Sequence, residues 1–176
     1  MSERAASWLR AEGHAVTIGD ASVDAARLVP AGYDAAFLAA SLHIGRYQAA
    51  LVDYARRHHA VLNAMPSAFI SVSLSAAGVD RRDWDGLEQC LERFRHDTRW
   101  RPGAVHQAAG AIRYRRYGLF TRFTIWFIAR RRGQRTSLSR DYDFTAYGAL
   151  KNFVLDFIRG GPSGASPNAR RETTDG

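Results

Sequence analysis

The sequence predicts an α/β sandwich built on a parallel β-sheet. Two compact apolar runs, Tyr33–Ala40 (YDAAFLAA) and Ser67–Leu74 (SAFISVSL), are continuous rather than alternating, as strands covered on both faces are. The segments that follow them repeat apolar residues at three- and four-residue steps, the period of a helix packed on one side. Strand and helix signals then alternate along the chain, which favours helices layered on a parallel sheet.

Each element has its own signal. Residues Ser2 to Ala11 read as a short helix stopped at Gly13. His14 to Ile18 alternates polar and apolar, as an outer strand does. In Gln48 to Leu62 the helical stripe is Leu51, Val52, Ala55, His59 and Leu62, and Pro66 precedes the next strand. Trp84 to Phe94 reads as a second surface helix with Asp83 as its cap. Ala104 to Ile112 is a further strand. Thr145 to Ile158 is a last helix with Leu150, Phe153, Val154 and Phe157 on one face. Residues 160–176 are small, polar and aperiodic, a disordered tail by composition. One domain over residues 1–159 accounts for the rest.

Charge is distributed very unevenly. Residues 113–135 hold the eight arginines Arg113, Arg115, Arg116, Arg122, Arg130, Arg131, Arg132 and Arg135, and no acid. Without them the basic residues equal the 17 acidic ones, so the whole formal charge of +8 sits in this stretch. Tyr114, Tyr117, Phe120, Phe123, Trp126 and Phe127 are woven through it. A helix with a core-facing aromatic side explains the aromatics. It does not explain uncompensated arginines, which repel one another and call for a negative partner. Anionic lipid head groups supply one, with Phe123, Ile125, Trp126 and Phe127 entering the acyl boundary.

Other classes are less favoured. The single cysteine, Cys90, precludes an internal disulfide and a multi-cysteine zinc site, and packing is its simplest role. His58 and His59 point to different helix faces, and His14, His96 and His106 lack ligand spacing, so no metal is expected. The N-terminal residues show no secretory signal. The most apolar run, Phe123–Ala129, is far short of the ~18–20 residues that cross a bilayer. The α/β pattern contains no known nucleic-acid module.

Four blocks carry a resemblance to a known family. They are ASLHIGRY (Ala40–Tyr47), MPSAFISVSL (Met65–Leu74), Trp100-Arg101-Pro102, and GAIRYRRYGLFTRFTIWFIARR followed by SRDYDFTAY (Gly110–Tyr147). Together they resemble the short, flavodoxin-like, menaquinone-dependent protoporphyrinogen dehydrogenases of haem biosynthesis. The last block is the specific one, because the first three suit many flavodoxin-like proteins. The resemblance implies a flavodoxin-like three-layer sandwich of strand order 2-1-3-4-5, with FMN at the carboxyl ends of the strands. It implies a long basic and aromatic insertion, residues 113–140, near the last strand. It also implies oxidation of protoporphyrinogen IX to protoporphyrin IX, with electrons leaving to a membrane quinone.

Residue by residue, the second flavin loop falls on Ser41, Leu42, His43, Ile44, Gly45 and Tyr47. The third falls on Ser73, Leu74 and Ser75. Substrate or membrane contacts fall on Arg113, Tyr114, Arg115, Arg116, Arg122, Phe123, Trp126, Arg130, Arg131 and Arg132, with propionates as well as lipid as their anions. No catalytic acid or base is assigned, because the chemistry belongs to the isoalloxazine ring. The expected location is the cytoplasmic, inner face of the cell membrane, and a homo-oligomer stays open.

The chain departs from the family pattern at several places. It has His43 where arginine is usual, Ala39 where glycine is usual, Arg115 in place of proline, and Thr121 and Ala146 in place of acids. Thr136-Ser137-Leu138 lacks a central aspartate. Met1-Ser2-Glu3-Arg4 already aligns with the first helix, so a central strand 1 and its phosphate loop, roughly 15 residues, are expected to be missing. A misassigned start codon accounts for that best. In the absence of strand 1, the strands at 14–18 and 33–40 either pair directly or leave a gap. Two other readings accompany the enzyme: a flavodoxin-like remnant without FMN that binds a membrane or partner, and a different flavin-dependent quinone reductase.

Overall fold

In this computed structural model the described residues are 1–73, 76, 81–109, 111–112, 142–143 and 147–160. Helix α1 covers Ser2–Ala11, α2 Ala49–Ala64, α3 Arg81–Thr98 and α4 Tyr147–Ile158. The strands are β1 Ala36–His43, β2 Arg46–Tyr47, β3 Ser67–Ser73, β4 Ala104–Ala109, β5 Ala111–Ile112 and β6 Tyr142–Asp143. The main sheet has the order β2-β1-β3-β4. Its three long strands are parallel, with Ala36 opposite Ser67 and Ala68 opposite Ala104.

The continuous apolar runs are explained by helices on both faces of this sheet. On one face Leu38, Ala40 and Phe69 pack with Tyr54, Ala55 and Leu62 of α2, Leu91 and Phe94 of α3, and Trp100. On the other, Ile70 and Ala108 pack with Ala5 and Leu9 of α1 and Leu150, Val154 and Leu155 of α4. β3 is the centre, with every residue except Val72 buried. The polar groups that this burial strands are paired locally. Ser67 Oγ donates to Leu62 O at 2.7 Å and accepts from Trp100 Nε1 at 2.9 Å.

Three expectations need correction. His14–Ile18 is not a strand. Val16 and Ile18 are half-buried between exposed neighbours, so the alternation is real, but no described strand offers a ladder to it. β1 begins at Ala36 rather than Tyr33, because Pro30–Gly32 form a 3₁₀ turn that Tyr33 closes. Helix α3 starts at Arg81, which places Asp83 inside its first turn rather than at the cap. The tail 161–176 lies outside the described residues.

His106 of β4 stacks on Phe153 of α4, with ring centroids 5.0 Å apart. Burial there holds its pKa below the usual histidine value. The neutral form is therefore favoured in the folded chain. Above pH 6.5 nothing is lost, since histidine is neutral in both states. Below that value the unfolded chain takes up the proton more readily, and stability falls until the folded pKa is reached. We expect the urea midpoint to drop between about pH 7 and pH 5, and His106→Phe to flatten that drop.

Candidate functional site at the carboxyl ends of the strands

In an open parallel sheet, ligands collect where the strands end at their carboxyl side, because the loops there are free to vary. β1 ends at His43 and turns back through Ile44 and Gly45 into β2, pairing His43 with Arg46 and Leu42 with Tyr47. Both turn residues have positive φ, 49° at Ile44 and 72° at Gly45. A two-residue reversal of this hand suits the twist of the flanking strands. Glycine adopts it freely, whereas a β-branched isoleucine is strained by roughly 1–2 kcal/mol. The Ile44 side chain is also 100% exposed. An apolar residue held in a strained turn and fully in solvent is a feature that folding alone does not favour.

The hairpin is tied down from beneath. Tyr47 is buried, with ring centroids 5.1 Å from both Phe69 and Phe94, and its hydroxyl lies 2.8 Å from Ser71 Oγ. Burial raises its pKa above the ordinary phenol value, so the group stays neutral and works as an anchor. A Tyr47→Phe variant should lose about 1 kcal/mol of stability in urea titration, the net worth of one buried hydrogen bond. At the hairpin's base the Ser41 N–H donates to Gln48 Oε1 at 3.4 Å. His43 and Arg46 are exposed at the rim.

The neighbouring strand ends contribute polar atoms. Ser73 Oγ accepts the Ala76 N–H at 3.1 Å and so starts the loop after β3. On β4, Gln107 stands opposite Ser71 in register, and its buried Oε1 has no hydrogen-bond partner among the described residues. Just beyond β4, β5 pairs antiparallel with β6, Ala111 opposite Asp143 and Ile112 opposite Tyr142. Ile112 and Tyr142, which flank residues 113–141 in the sequence, therefore stand side by side just beyond the end of β4.

Of the residues expected from the sequence, Ser41, Leu42, His43, Ile44, Gly45 and Tyr47 share this hairpin, and Ser73 ends the adjacent strand. Leu74, Ser75 and Arg113, Tyr114, Arg115, Arg116, Arg122, Phe123, Trp126, Arg130, Arg131 and Arg132 lie outside the described residues. Gln48 and Gln107 were not anticipated. The signal for Gln107 was available, as a polar amide in the middle of an apolar strand.

A cleft of about 600 Å³ lies elsewhere, lined by Arg56, His59, His96, Asp97 and Arg99. Its groups are largely committed: Arg56 pairs with Asp53 and donates to Asp97 O, and His59 meets Arg56 O. Arg99, at φ 60°, caps the end of α3 by donating its N–H to Arg95 O. Cations beside helix carboxyl ends are a structural arrangement. Among the described residues no three His, Cys, Asp or Glu side chains converge as metal ligands, and no helix is long and apolar enough to cross a membrane.

Comparison with known proteins sharpens this geometry. The model of a flavodoxin domain family matches residues 1–139. A Leishmania major protein named protoporphyrinogen IX dehydrogenase (quinone) is 36% identical over 129 residues, covering 73% of this chain and 55% of that protein. An Escherichia coli protein of the same name is 33% identical over 124 residues, covering 70% of this chain and 68% of that protein. The chain thus spans about half the length of the Leishmania relative. No solved structure matches the chain.

Proposed function

The chain belongs to the flavodoxin-domain family, in the group of the protoporphyrinogen IX dehydrogenases (quinone), and from this premise we propose that it oxidises protoporphyrinogen IX to protoporphyrin IX with FMN and a membrane quinone. The reaction belongs to haem biosynthesis, and its place is the cytoplasmic face of the cell membrane. The observation that carries this reading is the strained, solvent-facing Ile44–Gly45 reversal at the carboxyl end of β1. It offers an apolar side chain and outward peptide groups at one edge, which suits a flat heterocycle with an apolar face and a polar rim.

The residues present fit the ring of a flavin better than its phosphate. Around the ring, Ile44 and Gly45 would form one wall, His43 and Ser41 would stand at the polar rim, and Ser73 would begin the adjoining loop. Gln107 Oε1, buried and without a partner among the described residues, lies in the layer below. For the phosphate the described residues supply no equivalent. Neither α1 nor α2 has a side-chain cap at its N-terminus. When bound, the flavin supplies acceptance of hydride equivalents from the porphyrinogen and their delivery to the quinone. The protein holds the ring edge, keeps Tyr47 neutral beneath it, and presents the arginines of 113–132 to propionates and lipid head groups.

A flavin titration tests this directly. The chain should quench FMN fluorescence weakly and bind riboflavin about as well as FMN, since the described residues offer no phosphate cradle to distinguish them. Gly45→Val should weaken binding on the order of ten-fold, because a β-branched residue resists φ 72°. Loaded with FMN and given menaquinone, the wild-type chain should convert non-fluorescent protoporphyrinogen to fluorescent porphyrin. An unshifted flavin spectrum at saturating FMN defeats the enzyme reading and leaves the flavin-free remnant.

A further inference from the structure

Helices α2 and α3 both lead into strands at the amino end of the sheet, α2 into β3 and α3 into β4. The cleft of about 600 Å³ lies there, between Arg56 and His59 of α2 and His96, Asp97 and Arg99 at the close of α3. The flavin site proposed above is at the other end, where the strands finish. Part of the cleft's donor set serves the fold. Arg56 Nε donates to Asp97 O at 3.0 Å and its Nη1 to Asp53 at 2.8 Å, and His59 Nδ1 donates to Arg56 O at 2.8 Å. These bonds fix both groups and leave Arg56 Nη2 and His59 Nε2 without partners among the described residues.

Arg99 serves the fold through its backbone alone. Its N–H donates to Arg95 O, and its C=O accepts from Asn63 Nδ2 at 2.9 Å. Asn63 Oδ1 in turn accepts the Arg101 N–H at 2.8 Å. One side-chain amide thus clamps both sides of the buried Trp100 and holds Arg99 and Arg101 in place. Arg99 and Arg101 are exposed, and neither guanidinium has a hydrogen-bond or ion-pair partner among the described residues. Arg99 also sits at φ 60°, where glycine or asparagine is favoured after a helix. Glycine would cap α3 there with less strain, so the fold alone does not call for an arginine. Residues held in such conformations collect at ligand sites.

We propose that this cleft binds the phosphate group of a soluble phosphorylated molecule, held chiefly by the Arg99 guanidinium. Arg99 brings its whole donor fork, and Arg56 adds Nη2. His59 and His96 add one donor each as imidazolium, since their Nδ1 atoms already face Arg56 O and Asp97 Oδ1. Donors from four side chains suit a phosphate, with its three oxygens and higher charge, better than a carboxylate with two. Because the backbone clamp and the Arg56 bonds set the cations beforehand, little ordering is left to oppose binding. The cleft has the volume of a small-molecule site, larger than one phosphate fills, so the phosphate belongs to a larger ligand. Asp97, the one acid among the described residues of the lining, is placed to accept from a hydroxyl or amino group of that ligand. The lining residues are all polar, which favours a soluble ligand over the acyl chains of a lipid.

An NMR titration of the whole chain with inorganic pyrophosphate tests the proposal, with acetate at equal ionic strength as the carboxylate control. Pyrophosphate should shift the Arg99, Trp100 and Arg101 amides and the Arg56 Nε–H saturably, and acetate should not. Arg99→Gly relieves the backbone strain while it removes the guanidinium. It should keep or raise the urea midpoint, yet weaken pyrophosphate binding on the order of ten-fold. FMN binding should be unchanged in this variant, which separates the result from the flavin reading. If Arg99→Gly does not fold, Arg99→Gln decides by the same loss of affinity. Wild-type pyrophosphate affinity in the variant overturns the proposal, as do equal shifts with acetate. A matching loss of binding to phosphatidic acid vesicles in Arg99→Gly would assign the phosphate to a lipid and overturn the soluble ligand.

Discussion

Trp100→Ala should be among the most damaging single substitutions in the described core, at about 3–5 kcal/mol. Trp100 is fully buried. Its ring centroid lies 5.8 Å from that of Phe69 and 6.0 Å from that of Phe94, both edge-on. Truncation removes these contacts and leaves a cavity between β3, β4 and α3 that rigid strands cannot close. It also removes the indole donor to Ser67 Oγ. Against a typical total of about 5–15 kcal/mol, a loss of this size brings the chain near its unfolding threshold. The urea midpoint should fall by roughly 2 M, given a slope of about 2 kcal/mol/M.

Trp100→Phe separates the two contributions. It keeps most of the apolar volume and removes the N–H, so its cost should be about 1–2 kcal/mol. Because Trp100 bonds Ser67 at the amino end of β3, whereas the hairpin closes the carboxyl end of β1, flavin affinity of the folded fraction should stay unchanged in both variants. Equal stability of Trp100→Ala and wild type in urea titration would mean that the indole is not the core anchor described. The Trp100-Arg101-Pro102 block, one of the weaker parts of the family resemblance, thus has a packing explanation.

How far the sequence reveals this fold depends on whether a feature is local. Helix α1 ends where Gly13 predicts, and α2 and β3 fall within two residues of their patterns, because helical stripes and doubly buried strands announce themselves. His14–Ile18 shows the limit. Its alternation correctly reports which side chains are half-buried, but a strand also needs a neighbour, and pairing is a property of two segments. The start of β1 fails in part for the same reason, since beyond the 3₁₀ turn that Tyr33 closes it is set by Ser67 standing opposite Ala36.

At the site, the loop after β1 was reached through the family resemblance, whereas the reversal itself was hidden. Ile-Gly is not the Asn-Gly or Asp-Gly pair that usually marks such turns. Gln48 escaped because its role is to receive a backbone N–H seven residues earlier. Tyr47 was grouped with the flavin loop, and its side chain is found in the core beneath, bonded to Ser71. Alternation in a strand assigns a side chain to a face, but which layer that face meets depends on distant helices.

Replacing Arg130, Arg131 and Arg132 together by glutamate should detach the protein from anionic membranes. Each basic residue near such a surface is worth about 1 kcal/mol, so loss of three costs about 3 kcal/mol, and the reversed charges add repulsion. That corresponds to at least a ~100-fold fall in partitioning. Co-sedimentation with phosphatidylcholine vesicles containing roughly one third phosphatidylserine measures it, and the wild-type interaction should weaken as salt shortens the screening length below ~10 Å. Phe123→Ala with Trp126→Ala should also weaken binding, but with little change in salt dependence, because apolar insertion is not screened. Eight arginines without an acid carry the protein's entire excess of +8, and the rest of the chain, with 17 acids against 17 bases, has no net negative charge to set against them. Unchanged vesicle binding by the triple variant would remove the membrane from the proposed reaction. It would leave the propionates of the porphyrinogen as the anions these arginines serve. Loss of binding, by contrast, fits the β5–β6 ladder, which sets Ile112 beside Tyr142 just beyond the end of β4. A bilayer-soluble acceptor and a membrane-associated tetrapyrrole would then meet the ring from the side on which the lipid lies.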